Sequence, residues 1–505
     1  MRLSYLGAWL IFLEPAQEAA IKHGAVQAVF QVLSQPDFDD DLGHLVRLLE
    51  VLVSHDSGKE IATVSDLETI INLLLADPAD PNIHGFDNTL NLLAILASLL
   101  SREALQEALI TSQLFPRVFE IFSRTYSLAV DADSEKKDKS LIAYARQQLT
   151  EPLTAASTNF TDSFLITFPL TSPFFATLTQ ALTITPGRED LTSIACVLIG
   201  NLARSDAICT ALVQRSLHIP LLAIISTTTA NYTESITALR SGMAQSTPET
   251  TGAMAVGVLH SAVGVLKNLS IAQHNKTPIA EAGAFPAIRE MLRIDGIGAG
   301  QVYYSAVSLG RLLIVNNAAN ARLLLEDPEP LLKQFFGVYE KVEEPPTKTE
   351  ISRTIAAVLR IVYGTPGHPE LLPLLIACGE VERMLWDMVL NEKFPAVRGE
   401  GWFALALLAR GEEGAKRIAG ILDEKVVREG LGGKKGDREN IKVLLVQLKQ
   451  AELGGEGIDE LLKKALEEPK EGEELKGLDA PESRSDRQSA GKIVELLEGE
   501  EEEKN

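Results

Sequence analysis

A chain of 505 residues that is 46 % apolar, with Leu, Ala and Ile carrying the load and 6 % aromatics, suits an extended helical core better than a sheet. A net charge of −22 at pH 7 excludes nucleic acid as the main partner and favours a basic protein partner. Three cysteines, none in a Cys-x-x-Cys pair, exclude a disulfide framework and fit a reducing, cytoplasmic setting.

The opening MRLSYLGAWLIFL has the apolar run of a signal peptide. Glu14 and the continuation AQEAAIKHGAV read instead as the first helices of a repeat, and no small-x-small cleavage site follows. Residues 1–126 hold 17 Asp+Glu against 7 Lys+Arg, a net of −10, and form acidic N-terminal repeats. Asp37, Asp39, Asp40 and Asp41 fall in one loop there, a candidate recruiting site for a basic segment of a partner.

Long apolar helices end at recurring segments: LLEVLVS at Val51, ILASLLS at Ser98, IGNLARS at Asn201, VLKNLSI at Asn268, LGRLLIV at Leu312, VLRIVYG at Ile361 and ALALLAR at Leu407. Their steps of 47, 103, 67, 44, 49 and 46 residues match an armadillo period of about 40–47, with one doubled step and one lengthened step. A Gly precedes a short apolar helix at Gly24, Gly283 and Gly379, where each repeat must turn sharply. No sustained period-2 alternation argues for strands. The expected fold is therefore all-α: a right-handed α-solenoid of armadillo-type repeats with a partly disordered acidic C-terminal tail.

Residues 127–189 are expected to be an irregular repeat, with DADSEKKDK as an exposed loop and TNFTDSFLITFPLTSPFF as a degenerate repeat. The uncharged run Ser163–Gly187 is long enough to span a bilayer, but Pro169, Pro173 and its Ser/Thr content exclude membrane insertion. Residues 190–448 form the C-terminal repeats, with a mobile insertion at 226–252 and a short loop at 343–349. Residues 449–505 are an acidic low-complexity tail; 451–505 hold 18 Asp+Glu against 8 Lys+Arg. Helix is expected near Ile458–Leu466 and Lys492–Leu497.

No catalytic constellation, metal set or cofactor motif emerges. The eight histidines are scattered, GIGAG at 296–300 lacks the dinucleotide spacing and a preceding strand, and Cys209 has no basic neighbour in sequence. The distinctive polar residues lie on repeat helices instead. Asn201 and Asn268 occupy one repeat slot, with Arg204 a turn beyond the first and Lys267 beside the second. An Asn near the end of a repeat's last helix can bond an extended partner segment or the backbone of the next repeat, and both readings stay open.

The segments 199–209 (IGNLARSDAIC), 260–283 (HSAVGVLKNLSIAQHNKTPIAEAG), 301–314 (QVYYSAVSLGRLLI) and 399–411 (GEGWFALALLARG) resemble the smg-GDS family, armadillo-repeat guanine-nucleotide dissociation stimulators of small GTPases. The resemblance implies a cytosolic, non-enzymatic binder of Rho-, Rac- or Rap-type GTPases with basic tails, prenylated or not, that promotes GDP release or escorts its partner. Carried over residue by residue, it points to Asn201, Arg204, Asn268, Asn275 and Lys276 on the groove. It also associates an acidic surface of the earlier repeats with the basic tail, for which Asp37–Asp41 are candidates. The alternative is an armadillo scaffold or transport adaptor without exchange activity. Such adaptors place Trp and Asn together on groove helices, whereas Trp402 has no Asn beside it.

Overall fold

A helix with apolar residues on nearly every face must be surrounded, whereas one with a single apolar stripe lies at a surface. Both kinds alternate along this chain. The computed structural model describes residues 14–35, 42–76, 85–128, 135–241, 248–296, 298–326, 329–390, 394–433, 435–453 and 455–466. Its helices group in threes, two usually short and the third long.

The first compact unit ends at Leu202. It holds four triplets: α1 (Glu14–Lys22), α2 (Ala25–Leu33) and α3 (Leu42–Ser54); α4 (Asp56–Ile61), α5 (Val64–Leu75) and α6 (Phe86–Leu100); α7 (Glu103–Thr111), α8 (Phe115–Arg124) and α9 (Glu135–Asn159); α10 (Thr161–Thr167), α11 (Pro173–Gln180) and α12 (Glu189–Leu202). The second unit begins at Ala203. Its triplets are α13 (Asp206–Gln214), α14 (His218–Arg240) and α15 (Pro248–Leu269); α16 (Lys276–Glu281), α17 (Ala284–Met291) and α18 (Ala299–Ile314); α19 (Ala318–Glu326), α20 (Leu331–Lys341) and α21 (Pro345–Val362); α22 (Leu371–Ala377), α23 (Val381–Val389) and α24 (Pro395–Leu408); α25 (Glu412–Ala419), α26 (Glu424–Leu431) and α27 (Lys435–Gln450). A last helix, α28 (Gly455–Leu466), packs on α26 and α27.

Third helices stack on third helices: α3, α6, α9 and α12 in the first unit, and α15, α18, α21, α24 and α27 in the second. With no strand among the described residues, the chain forms the expected all-α solenoid of armadillo-type repeats. Helix α18 shows why a lone repeat cannot fold. Val302, Ala306, Val307, Leu309, Leu313 and Ile314 are each at most 2 % exposed, because α15, α17 and α21 cover different faces. At Gly310 a Cβ would lie 2.8 Å from the Phe335 ring, so only glycine admits α20 this closely.

The predicted breakers are real corners. Gly24, Gly283 and Gly379 have φ of 82°, 103° and 149° between the first and second helices of their repeats. Gln113 (φ 56°) and Ser216 (φ 61°) stand at the same corner in two other repeats, where an L-residue accepts the left-handed region at a cost.

Several expectations need correction. Of the charged segment 131–139, residues from Glu135 onward are the first turns of α9, not a loop, and Lys139 pairs with Glu135 there. The expected insertion 226–252 is, through Arg240, the second half of α14, and from Pro248 the start of α15. Two of its threonines, Thr228 and Thr229, are buried together with Tyr232, while Thr227, Thr233 and Thr237 face outward. This lengthened pair of helices accounts for the step of 67 residues. The expected loop 343–349 is largely helix, because Pro345 takes the first turn of α21, where its missing N–H is no loss. The degenerate stretch 158–175 replaces aliphatic packing by rings, with Phe164 meeting Phe115 edge-on at 4.9 Å and Phe174 at 5.7 Å from both Phe115 and Phe119. Lys492–Leu497 and the tail beyond Leu466 lie outside the described residues.

Candidate functional site: the third-helix ladder of the second unit

Where a third helix ends, its last carbonyls need donors. The start of the next repeat supplies one six or seven residues on. Gln106 Nε2 donates to the Leu100 carbonyl at 2.9 Å, Asn275 Nδ2 to Leu269 at 2.9 Å, and Asn320 Nδ2 to Leu313 at 2.9 Å. In two other repeats a glycine fills the slot, because a Cβ on Gly58 or Gly414 would sit 2.0 or 2.2 Å from the carbonyl oxygen of Leu52 or Leu408. Lys276 fastens its own repeat, sending Nζ to the Val315 carbonyl just past the end of α18. Asn275 is 2 % and Lys276 3 % exposed. Their expected place on a partner-facing groove is thereby corrected: both are internal fasteners. Burial, with Arg311 nearby, holds the Lys276 ammonium below its usual pKa range.

The remaining predicted residues divide. Asn201 Nδ2 donates to Ser157 Oγ at 2.9 Å and to the Thr154 carbonyl at 3.4 Å on α9, so its amide binds the neighbouring repeat. Asn268 is half-buried, and its carbonyl accepts a weak bond from Cys209 Sγ at 3.4 Å. Arg204 is exposed. Asp37, Asp39, Asp40 and Asp41 lie outside the described residues.

Sequence reasoning missed a concentration of charge on the ladder itself. Among the described side chains, the third helices of the second unit carry nine cations: Lys267 on α15, Arg311 on α18, Lys348, Arg353 and Arg360 on α21, Arg398 on α24, and Arg438, Lys442 and Lys449 on α27. Against them stand four carboxylates, Glu350, Glu400, Asp437 and Glu439. The third helices of the first unit carry five cations and seven carboxylates. A chain of net −22 thus gathers positive charge along one ladder.

The core of that ladder is a relay of ion pairs across successive repeats. Arg311 Nε meets Glu350 Oε2 at 2.6 Å, and Arg353 Nη1 meets Glu350 Oε1 at 3.4 Å. Arg353 Nε meets Glu400 Oε2 at 2.9 Å, and Arg360 Nη1 meets Glu400 Oε1 at 3.3 Å. Arg398 approaches Asp437 at 3.6 Å on the last step. Two carboxylates thus serve three arginines in the middle of the relay. Aromatic faces take up part of the surplus: Lys267 lies 5.2 Å from the Tyr304 ring and Arg360 5.2 Å from the Phe403 ring. Burial pushes the Lys267 pKa down, Glu350 opposes this, and Arg311 adds to it; His260 is lowered by burial and then by Lys267. With two carboxylates serving three arginines the relay keeps a net positive charge, which suits an acidic or hydrogen-bond-accepting partner surface. Spacing could have revealed it, since Lys267, Arg311 and Arg360 each stand one residue before the aligned marks Asn268, Leu312 and Ile361.

No group of three or more His, Cys, Asp and Glu side chains that could hold a metal occurs among the described residues, and none of their helices is singly long and apolar enough to cross a membrane. No protein-family model and no curated protein matches the chain. Solved structures do. An engineered protein aligns with a TM-score of 0.59 at 14 % identity, covering 88 % of this chain and 94 % of its own. A chain from a study of the phosphorylation switch controlling the interaction between cadherin and beta-catenin aligns with a TM-score of 0.56 at 15 % identity, covering 88 % and 82 %. The likeness shows the fold alone.

Proposed function

We propose that this protein binds other proteins through the third-helix ladder of its second unit, and that its partners are small GTPases of the Rho, Rac or Rap type. The observation that carries the binding reading is the cation-rich relay from Lys267 through Arg311, Glu350, Arg353, Glu400 and Arg360, built on stacked helices that hold it in register. The partner class rests on the resemblance of 199–209, 260–283, 301–314 and 399–411 to the smg-GDS family, and the net charge of −22 suits partners with basic tails.

Such a protein needs no catalytic side chain. If it binds the nucleotide-free GTPase better than the GDP form, it weakens GDP by the same factor. A 100-fold weakening corresponds to about 2.7 kcal/mol of differential binding. The adaptor reading lacks support from its expected aromatic, because Trp402 is 0 % exposed and stacks edge-on against Trp386 at 5.7 Å. The test is a pull-down with a panel of small GTPases, with and without their basic tails, followed by release of fluorescent GDP. Failure of every GTPase to bind and to release nucleotide faster overturns the proposal.

A further inference from the structure

The ladder of the second unit carries more cations than its own carboxylates neutralise, and the same chain carries a matching acidic segment. Residues 467–505 hold 14 Asp+Glu against 6 Lys+Arg and include the run Glu500–Glu503. They follow Leu466, the last residue of α28, which packs on α27 at the end of that ladder. We infer that the segment 467–505 docks on the cation-rich ladder of its own second unit, setting Glu498–Glu503 against Arg353 and Arg360, and so competes with any partner for that surface. The inference shares its surface with the proposed function but is read with no partner present, so the two fail separately.

Three observations carry it. The first is charge: of the nine cations on the third helices of this unit, Lys449 is paired with Asp459 of α28 at 2.7 Å, and the other eight stand against four carboxylates, with Arg360 exposed. The second is reach. Stacked helices lie about 8–10 Å apart, so α21 is roughly 20 Å from α27, whereas 34 residues between Leu466 and Glu500 span up to about 110 Å when extended. The third is tethering. A segment on a linker of this length meets its site at an effective concentration of about 1 mM, which a free partner of equal affinity reaches only at that concentration. Attraction of this kind between exposed charges is screened by salt within a Debye length of about 8–10 Å.

The experiment uses the full chain. Trypsin is added at low ionic strength, and cleavage after Lys492 is timed by mass spectrometry against a synthetic peptide of residues 484–505. With a docking affinity of about 0.1 mM, tethering protects the full chain about tenfold relative to the peptide. Arg353→Gln combined with Arg360→Gln abolishes the protection, and so does 0.5 M salt. Because the arginine changes also touch the relay, a second full-length variant with Glu500–Glu503 all changed to Gln leaves every described helix unaltered in sequence and must lose protection too. Cleavage as fast as in the peptide overturns the inference. Protection that survives the charge changes and salt also overturns it, since the segment is then held elsewhere.

Discussion

Asn275→Ala separates a fastener from a partner contact. The Asn275 amide is 2 % exposed and donates to the Leu269 carbonyl at 2.9 Å, closing the end of α15 onto α16. Truncation leaves that carbonyl buried without its donor, at a cost of about 1–3 kcal/mol. In a repeat stack the cost falls on neighbouring repeats first, so a global melting curve is a poor reporter. Hydrogen exchange read peptide by peptide is the better assay. Opening of the α15–α16 junction rises roughly 5- to 150-fold, while peptides of the first unit keep their rates. Asn320→Ala acts more strongly in its own repeat, because Asn320 Nδ2 serves the carbonyls of both Leu313 and Lys276. Unchanged exchange at the α15 end, with partner binding lost, refutes this assignment and returns Asn275 to the binding surface.

Other changes test the packing directly. Ser216→Gly relieves a left-handed corner (φ 61°) and stabilises the second unit by about 1 kcal/mol in urea unfolding; destabilisation contradicts the corner assignment. Gly58→Ala forces a Cβ to 2.0 Å from the Leu52 carbonyl oxygen and costs more than about 2 kcal/mol, seen as a lowered urea midpoint. Burial pushes the Cys196 thiol up to about 12 and the Cys209 and Cys378 thiols up to about 11, Asp206 adding at Cys209 and Lys333 opposing at Cys378. A raised thiol pKa disfavours the thiolate, so at pH 8 the folded protein resists a thiol-specific reagent. The same thiols react rapidly once denatured, and fast reaction of the folded chain contradicts their burial.

The fold was legible because third-helix ends repeat in sequence at Val51, Ser98, Asn201, Asn268, Leu312, Ile361 and Leu407, and each falls in a third helix. The corners were legible at Gly24, Gly283 and Gly379, where glycine marks a positive φ, and silent at Gln113 and Ser216, where other residues accept it. The extension of α14 was hidden because its threonines read as a linker, and of its described residues only Thr228, Thr229 and Tyr232 are buried to hold it against its neighbours. The site was harder to read. Asn201, Asn275 and Lys276 looked like recognition residues because they are polar and recur, yet the same polarity satisfies backbone groups within and between repeats. The cation ladder escaped notice because its members lie 44 and 49 residues apart and the chain as a whole is acidic.

If partners are held on the ladder of the second unit, they must feel the loss of its arginines. Affinity of the full chain for a nucleotide-free GTPase with a basic tail tests it most directly, measured for the wild type and for Arg353→Gln with Arg360→Gln. Wild-type binding accelerates release of fluorescent GDP, and affinity falls at least tenfold in the variant, with hydrogen exchange of the first unit unchanged. Equal affinity of both proteins for the GTPase contradicts it.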